Sequence, residues 1–391
     1  MRRGGNNYYA LDVSDKTNPK VLWTIKGGPN GDTDFASLGQ SWSKPTLAKI
    51  MIGGEETKVL VFGGGYDPLQ DNSNIRSPDT IGNSLFVVDA TTGELLWKAD
   101  DTDYDEMMYS FPSDPQVIDI NGDGLADQMY IGDMGGQVWR FDVDGGATNT
   151  NSMLKGGVIA SLANDSANGF RKFFYQPDVA LLKGDADTPD YLSISIGSGN
   201  RAHPLDEVTD NRFYMIRQYS IFNAPEEYGM EDQSTGLFRP VTEADLYNAT
   251  ANNIASADPE IAENARIQLA ESQGWRVHLT EPGEKVLSHS LTVNNGVNFT
   301  TYLPGAGNHA DICSPSLGHS RLYRVAVNNA TPTDGTQDSQ RYSNIPGTGI
   351  ASSANLFFSE DGDSYIQEGT RTVDSSKLDR LQRTYWSEQA D

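Results

Sequence analysis

Nine residues, Asp119-Ile120-Asn121-Gly122-Asp123-Gly124-Leu125-Ala126-Asp127, carry oxygen-bearing side chains at their first, third, fifth and ninth places around a glycine turn. A hard cation such as Ca2+ takes six to eight oxygens at about 2.3–2.6 Å, and a short loop supplies them only when alternate residues point inward. Asp119, Asn121, Asp123 and Asp127 would ligate through their side chains, Leu125 through its carbonyl, and Gly124 would make the sharp turn. The same residue types also fill ordinary solvated turns, for backbone reasons alone. Four donors at the right spacing favour the metal over the bare turn.

The flanks decide what such a loop joins. An EF-hand requires a bidentate glutamate at its twelfth place and a helix on each side. Here the twelfth residue is Tyr130, and both Pro115-Gln116-Val117-Ile118 and Gln128-Met129-Tyr130-Ile131-Gly132 read as strands. The loop is therefore expected to connect two strands of one sheet.

Strands with the same order of cues recur along the chain. A proline-led strand, a strand ending in glycines and a strand of the form aromatic-x-aliphatic-Asp appear as Lys44–Leu47, Val59–Gly65 and Leu85–Asp89, closed by Leu95-Leu96-Trp97. They return as Asp114–Ile118, Met129–Asp133 and Val138–Asp142, again as Gln176–Val179, Leu192–Gly199 and Arg212–Ile216, and more weakly as Ser290–Val293, Val297–Tyr302 and Leu322–Val325. Trp97 and Trp139 are separated by about the 40–45 residue period of a four-stranded propeller blade. One small sheet cannot bury both faces alone, so such units pack against radial neighbours. The fold class expected is all-β, a modified β-propeller with quinoprotein-like blades, over residues 1–375.

Two stretches interrupt the pattern. An Ala/Glu/Asn-rich segment at about 242–270, with Thr242 as N-cap, predicts one or two surface helices inserted between blades. Residues 376–391 form a charged tail with one apolar edge. The N-terminal strand Tyr8–Val13 and the segments Ala354–Phe358 and Ser364–Gln367 are expected to share a closing blade. The chain enters that first strand with no signal peptide ahead of it, so an export signal and further blades or an adhesive domain are expected upstream.

Composition narrows the partners. The 391 residues carry a formal charge of −25, which repels phosphate backbones and anionic headgroups and attracts divalent cations. Nucleic acid is not the partner expected of such a field, and no apolar run is long enough for a spanning helix. The one cysteine, Cys313, has no intrachain partner and reads as a buried thiol. His203, His278, His289, His309 and His319 lack zinc spacing. The acidic runs Asp101–Glu106 and Glu360–Asp363 read as solvated surface.

The stretch from Met108-Tyr109-Ser110-Phe111-Pro112 through the acidic loop to Tyr130-Ile131-Gly132-Asp133-Met134-Gly135-Gly136-Gln137-Val138-Trp139-Arg140 closely resembles the C-terminal β-propeller of the PilY family, the tip-associated adhesins and biogenesis factors of type IV pili. Leu38–Pro45, Phe62–Asp67, Gly197–Pro204, Gly283–Leu287 and Thr384-Tyr385-Trp386 add to the likeness. The resemblance implies a propeller whose calcium site governs pilus extension against retraction. It also implies surface adhesion, export to the pilus tip or cell surface, and minor pilins and a surface or host receptor as partners. Carried onto this chain, the ligands are Asp119, Asn121, Asp123, Leu125 and Asp127. No Arg-Gly-Asp tripeptide occurs, so integrin-type binding has no support.

The rival is an enzyme. Val88-Asp89-Ala90-Thr91-Thr92-Gly93-Glu94-Leu95-Leu96-Trp97 is also the docking phrase of quinoprotein dehydrogenases, which as a family hold pyrroloquinoline quinone beside calcium and often a vicinal disulfide. A single cysteine excludes that disulfide, and the acidic loop joins strands of one blade rather than lining a funnel. The expectation is a non-enzymatic protein with Ca2+ as its only cofactor.

Overall fold

The computed structural model describes residues 2–184, 188–305, 317–333, 340–358, 364–368 and 371–375. Cys313, His309, the run Glu360–Asp363 and the tail 376–391 lie outside the described residues. Two compact units divide the chain, one of residues 1–176 with 224–240 and the other of 177–223 with 241–391. Among the described residues no helix is long and apolar enough to cross a membrane.

The first unit is a stack of antiparallel sheets. A hairpin of Asn7–Asp12 and Lys20–Lys26 is followed by a four-stranded meander, Thr46–Ile52, Glu55–Gly63, Leu85–Asp89 and Leu95–Ala99, and then by a second, Gln116–Ile118, Gln128–Gly132, Gln137–Val143 and Leu154–Ser161. Alternation fixes how they stack, because successive strand residues face opposite sides. Phe62, Phe86 and Val88 join Tyr8, Trp23 and Ile25 of the hairpin in one core. Their neighbours Val61, Leu85, Val87 and Trp97 point the other way and meet Met129, Ile131, Trp139 and Phe141 of the second meander in another. The ring of Trp97 meets Phe141 edge-on at 5.9 Å, and Trp139 stacks on Phe141 at 6.0 Å. A sheet buried on both faces is the packing of a propeller blade.

The second unit repeats the plan. Asp178–Leu182, Tyr191–Gly197, Arg212–Gln218 and Gly274–His278 run antiparallel, and Tyr247–Asn248 adds in parallel at the edge. The next sheet centres on Gly296–Leu303 and His319–Ala326, flanked by Lys285–Val286, Leu291–Val293 and Tyr342–Ile345. Phe299 is sandwiched between Phe213 and Tyr323, with ring centroids 3.7 and 4.8 Å apart.

Two expectations change. Thr242 does not start an α-helix: its amide and hydroxyl both donate to Asp245, at 2.8 and 2.7 Å, closing a three-residue 3-10 turn at Glu243–Asp245. The α-helix is Pro259–Ala270, capped by Asp258 and opened by a proline that needs no amide partner. It is the surface helix expected in this segment: Ala262, Ala265 and Leu269 are buried, Ala265 and Leu269 joining the core, and its other nine residues are exposed. Lastly, the chain ends do not share a sheet among the described residues. The edge of Asn7–Asp12 is taken by Lys20–Lys26, a strand the sequence reading passed over, and Asn355–Phe358 and Ser364–Glu368 gain Arg371–Ser375 as their own third strand.

A buried carboxylate holds the tight turn at the end of Gln128–Gly132. Asp133 is fully buried and accepts hydrogen bonds from the amides of Gly135 and Gln137 and from Trp139 Nε1, at 2.9, 2.8 and 2.9 Å. Burial outweighs these donors and pushes its carboxyl up to about 7. A carboxyl raised on folding stabilises fully below its unfolded value, and that contribution is lost as pH rises toward 7. Stability should therefore fall between about pH 4 and pH 7 through this group, and Asp133→Asn should flatten that part of a plot of unfolding midpoint against pH. In the second unit, Phe299→Ala should cost about 3–5 kcal/mol, read from denaturant unfolding.

Candidate metal loop and its supporting network

The nine-residue loop spans the turn between Gln116–Ile118 and Gln128–Gly132, strands paired with Ile118 opposite Gln128. The expected strand-to-strand connection is what the chain forms. Asp127 N donates to Ile118 O at 2.8 Å, extending the ladder by one rung.

Within the loop the carboxylates gather backbone amides. Asp119 Oδ1 accepts from Gly122 N at 2.6 Å and Asp123 N at 3.2 Å, and its Oδ2 accepts from Gly124 N at 2.8 Å. Asn121 Oδ1 accepts from Asp123 N at 2.9 Å, and Asp123 Oδ1 from Leu125 N at 2.8 Å. Asp127 Oδ2 accepts from Ile120 N at 2.7 Å, while its Oδ1 accepts from Asn121 Nδ2 at 3.2 Å. Charge-assisted bonds of this kind curl the chain around its own acidic side chains. The curl needs two residues in the left-handed region, Gly122 at φ +80° and Gly124 at φ +87°. The sequence reading named Gly124 only; the Asn121-Gly122 pair was the signal for the other.

Asn121 and Asp123 are exposed, and Asp119, Leu125 and Asp127 are half-buried. Burial raises the Asp127 carboxyl above the ordinary carboxylate range, and the nearby charges of Asp123 and Asp119 push the same way. Among the described residues no three His, Cys, Asp or Glu side chains are gathered as a metal-holding group. The structure thus puts all five sequence-predicted residues in one loop, with the side chains of Asp119, Asn121, Asp123 and Asp127 engaged to backbone amides.

Behind the loop lies a buried polar network that the sequence reading missed. Gln128 faces Asp142 and Tyr130 faces Arg140 across adjacent strands. Arg140 is fully buried and pairs with Asp142 through Nε at 3.0 Å and Nη2 at 2.6 Å. The Tyr228 hydroxyl lies 2.8 Å from Asp142 Oδ2 and 2.9 Å from the Lys155 carbonyl, so the segment Ala224–Pro240 is strapped to this sheet. Gly157 makes room for it, since a Cβ there would fall 2.8 Å from the Tyr228 ring. The loop joins this network through the backbone, where Val143 N donates to Asp127 O at 2.8 Å. Polar residues at alternate places of a strand buried on both faces were the available signal.

The quinoprotein-like phrase has structural work here. Asp89 Oδ1 accepts from the amides of Thr91 and Thr92 at 2.7 and 2.9 Å, closing the turn between two strands, and Trp97 packs in the core. The run Asp101–Glu106 is exposed apart from half-buried Tyr104.

Residues 1–181 match the family model described as the PilY1 beta-propeller domain. The type IV pilus biogenesis factor PilY1 of Pseudomonas aeruginosa is 34% identical over 177 residues, which is 44% of this chain and 13% of that protein. A PilY1 homolog from Xylella fastidiosa is 24% identical over 326 residues, 77% of this chain and 20% of its own length. The crystal structure of the Pseudomonas aeruginosa PilY1 C-terminal domain superposes with a TM-score of 0.64 at 19% identity, covering 95% of this chain and 79% of that one. The chain therefore spans a fifth or less of the curated relatives it matches. Those relatives are named as pilus biogenesis factors, not enzymes.

Gly124→Ala should strain the loop by about 1–2 kcal/mol, the ordinary cost of a left-handed residue with a Cβ, although open space surrounds the position. Faster hydrogen exchange of the Gly122–Leu125 amides, with the global unfolding midpoint little changed, is the expected readout.

Proposed function

We propose that the chain is a PilY-family β-propeller and serves as the calcium-responsive part of a type IV pilus biogenesis and adhesion factor. It is an exported protein of the pilus tip or cell surface, and it works by presenting or withdrawing the loop Asp119–Asp127 to a pilus component. The observation that carries this reading is the donor set. Three carboxylates, one amide oxygen and the Leu125 carbonyl fall within nine residues at the tip of a strand pair, and every donor is a hard oxygen.

The residues present fit Ca2+. Asp119, Asn121, Asp123, Leu125 and Asp127 would hold it, and among the described residues Asp123 Oδ2 accepts no hydrogen bond. When bound, the ion supplies positive charge among carboxylates that otherwise repel one another. The chain's part is to preorganise. Asp119 gathers three amides of the turn and the glycines permit it, so fewer residues have to be ordered on binding. Asp127 then links the loop to the adjacent strand, through which a change in loop order reaches the Arg140–Asp142–Tyr228 network.

Binding at 100 times Kd contributes about 2.7 kcal/mol, enough to shift a marginal loop from open to closed. An affinity of about 10⁻⁴ to 10⁻³ M, usual for extracellular sites, would make external calcium the signal. Minor pilins and a surface or host receptor are the partners this role calls for, with no nucleic acid and no membrane insertion.

Asp127→Ala should weaken calcium binding by about an order of magnitude or more while the chain stays folded, as titration calorimetry and circular dichroism would show. Unchanged binding in that variant would remove the site. Co-purification with native pilus fractions, present in calcium and lost in chelator, is the expected sign of the pilus role.

A further inference from the structure

We propose that Asn121 is a site of spontaneous deamidation, and that the closed loop holds the reaction back. Calcium enters only as what keeps the loop closed, a part that rests on the reading above; the chemistry at Asn121 does not require it.

An asparagine followed by glycine is the pair best suited to this reaction, because the glycine amide meets no side chain as it approaches. The chain has four such pairs, at Asn30, Asn121, Asn168 and Asn295. Gly169 and Gly296 are buried in their turns. Gly31 is hemmed in by backbone, with its Cβ position 2.2 Å from the Lys26 carbonyl oxygen and 2.7 Å from that of Gly27. At Gly122 nothing lies within 4 Å, and both Asn121 and Gly122 are exposed.

The reaction needs no outside reagent but water. Gly122 N attacks Asn121 Cγ, the Cγ–Nδ2 bond breaks, and the amide nitrogen leaves as ammonia with the proton from Gly122 N. The five-membered succinimide left behind takes up one water. Opening at Cγ–N yields aspartate, and opening at the main-chain carbonyl yields isoaspartate.

In the closed loop the attacking and leaving nitrogens are both engaged. Gly122 N is held by Asp119 Oδ1 at 2.6 Å, Asn121 Oδ1 by Asp123 N at 2.9 Å, and Asn121 Nδ2 by Asp127 Oδ1 at 3.2 Å. Turning Gly122 N onto Cγ parts it from Asp119 Oδ1, and departure of the amide parts Nδ2 from Asp127 Oδ1, so the loop reacts faster when open. The two products then act in opposite directions. Aspartate at position 121 replaces a neutral oxygen donor with a charged one at the same place. Isoaspartate inserts a methylene into the main chain and carries Asp123 and Gly124 out of register with Asp119.

The full chain, incubated at mildly alkaline pH in chelator or in calcium at 100 times Kd, is digested and mapped by mass spectrometry that separates aspartyl from isoaspartyl peptides. Asn30, Asn168 and Asn295 serve as internal references. Asn121 should convert fastest of the four in chelator, and about 100-fold more slowly in calcium, in proportion to the open fraction. Preservation of Asn121 while the reference pairs convert would overturn the proposal, as would equal rates with and without calcium when calorimetry shows the ion bound. Fast conversion at Asn121 with no calcium bound by calorimetry would uphold the modification and sink the calcium reading alone.

Discussion

Burial of both faces of the inner strands of the two meanders is the constraint from which the other features follow. In the second meander every residue of Gln128–Gly132 is buried, although the strand is only five residues long. Neither face meets water, so each side chain must either pack or find a polar partner within the protein. Met129 and Ile131 pack toward the preceding sheet with Trp139 and Phe141. Gln128 and Tyr130 face the other way and are met by Asp142 and Arg140. The acidic loop hangs from a strand that has no freedom to slip, because a one-residue shift would exchange its packed and polar sides.

That rigidity explains the placement of the loop's own strain. Two left-handed glycines, three clustered carboxylates and a raised Asp127 carboxyl all lie between Ile118 and Gln128, where the chain leaves the sheet. The costs are local, and the ladder on either side holds the ends at fixed separation. A loop with fixed ends has fewer conformations to lose on closing. The same reasoning applies to Asp133 at the opposite end of that strand, where a buried carboxylate organises a turn from three donors.

Much of this was legible in the sequence. The blade pattern was visible because the strands are short and bounded by glycine and proline, and because Trp97 and Trp139 recur at corresponding places. The acidic loop was visible because its donors are contiguous. Other features depended on contacts between distant segments. Lys20–Lys26 has lysines at both ends and three exposed residues at its start, so its strand character comes from pairing with Asn7–Asp12 rather than from its own pattern. Thr242 reads as a helix cap because an Ala/Glu/Asn-rich stretch follows it, yet the turn it closes with Asp245 ends at once and the chain extends into Tyr247–Asn248. Tyr228 could not be linked to Asp142 from sequence at all, since nothing local marks a partner 86 residues away.

The strap carried by Tyr228 has a consequence for how the polypeptide must be divided. The first unit is not one continuous stretch: after residue 176 the chain builds strands of the second unit, returns as Ala224–Pro240, and leaves again. A fragment cut after the first two meanders would expose the groove over Gly157 and strip Asp142 of its phenol neighbour. During synthesis, likewise, the amino-terminal half cannot reach its final form until the ribosome has passed Pro240. A boundary drawn by similarity alone, such as one at residue 181, therefore falls inside a folding unit rather than at its edge.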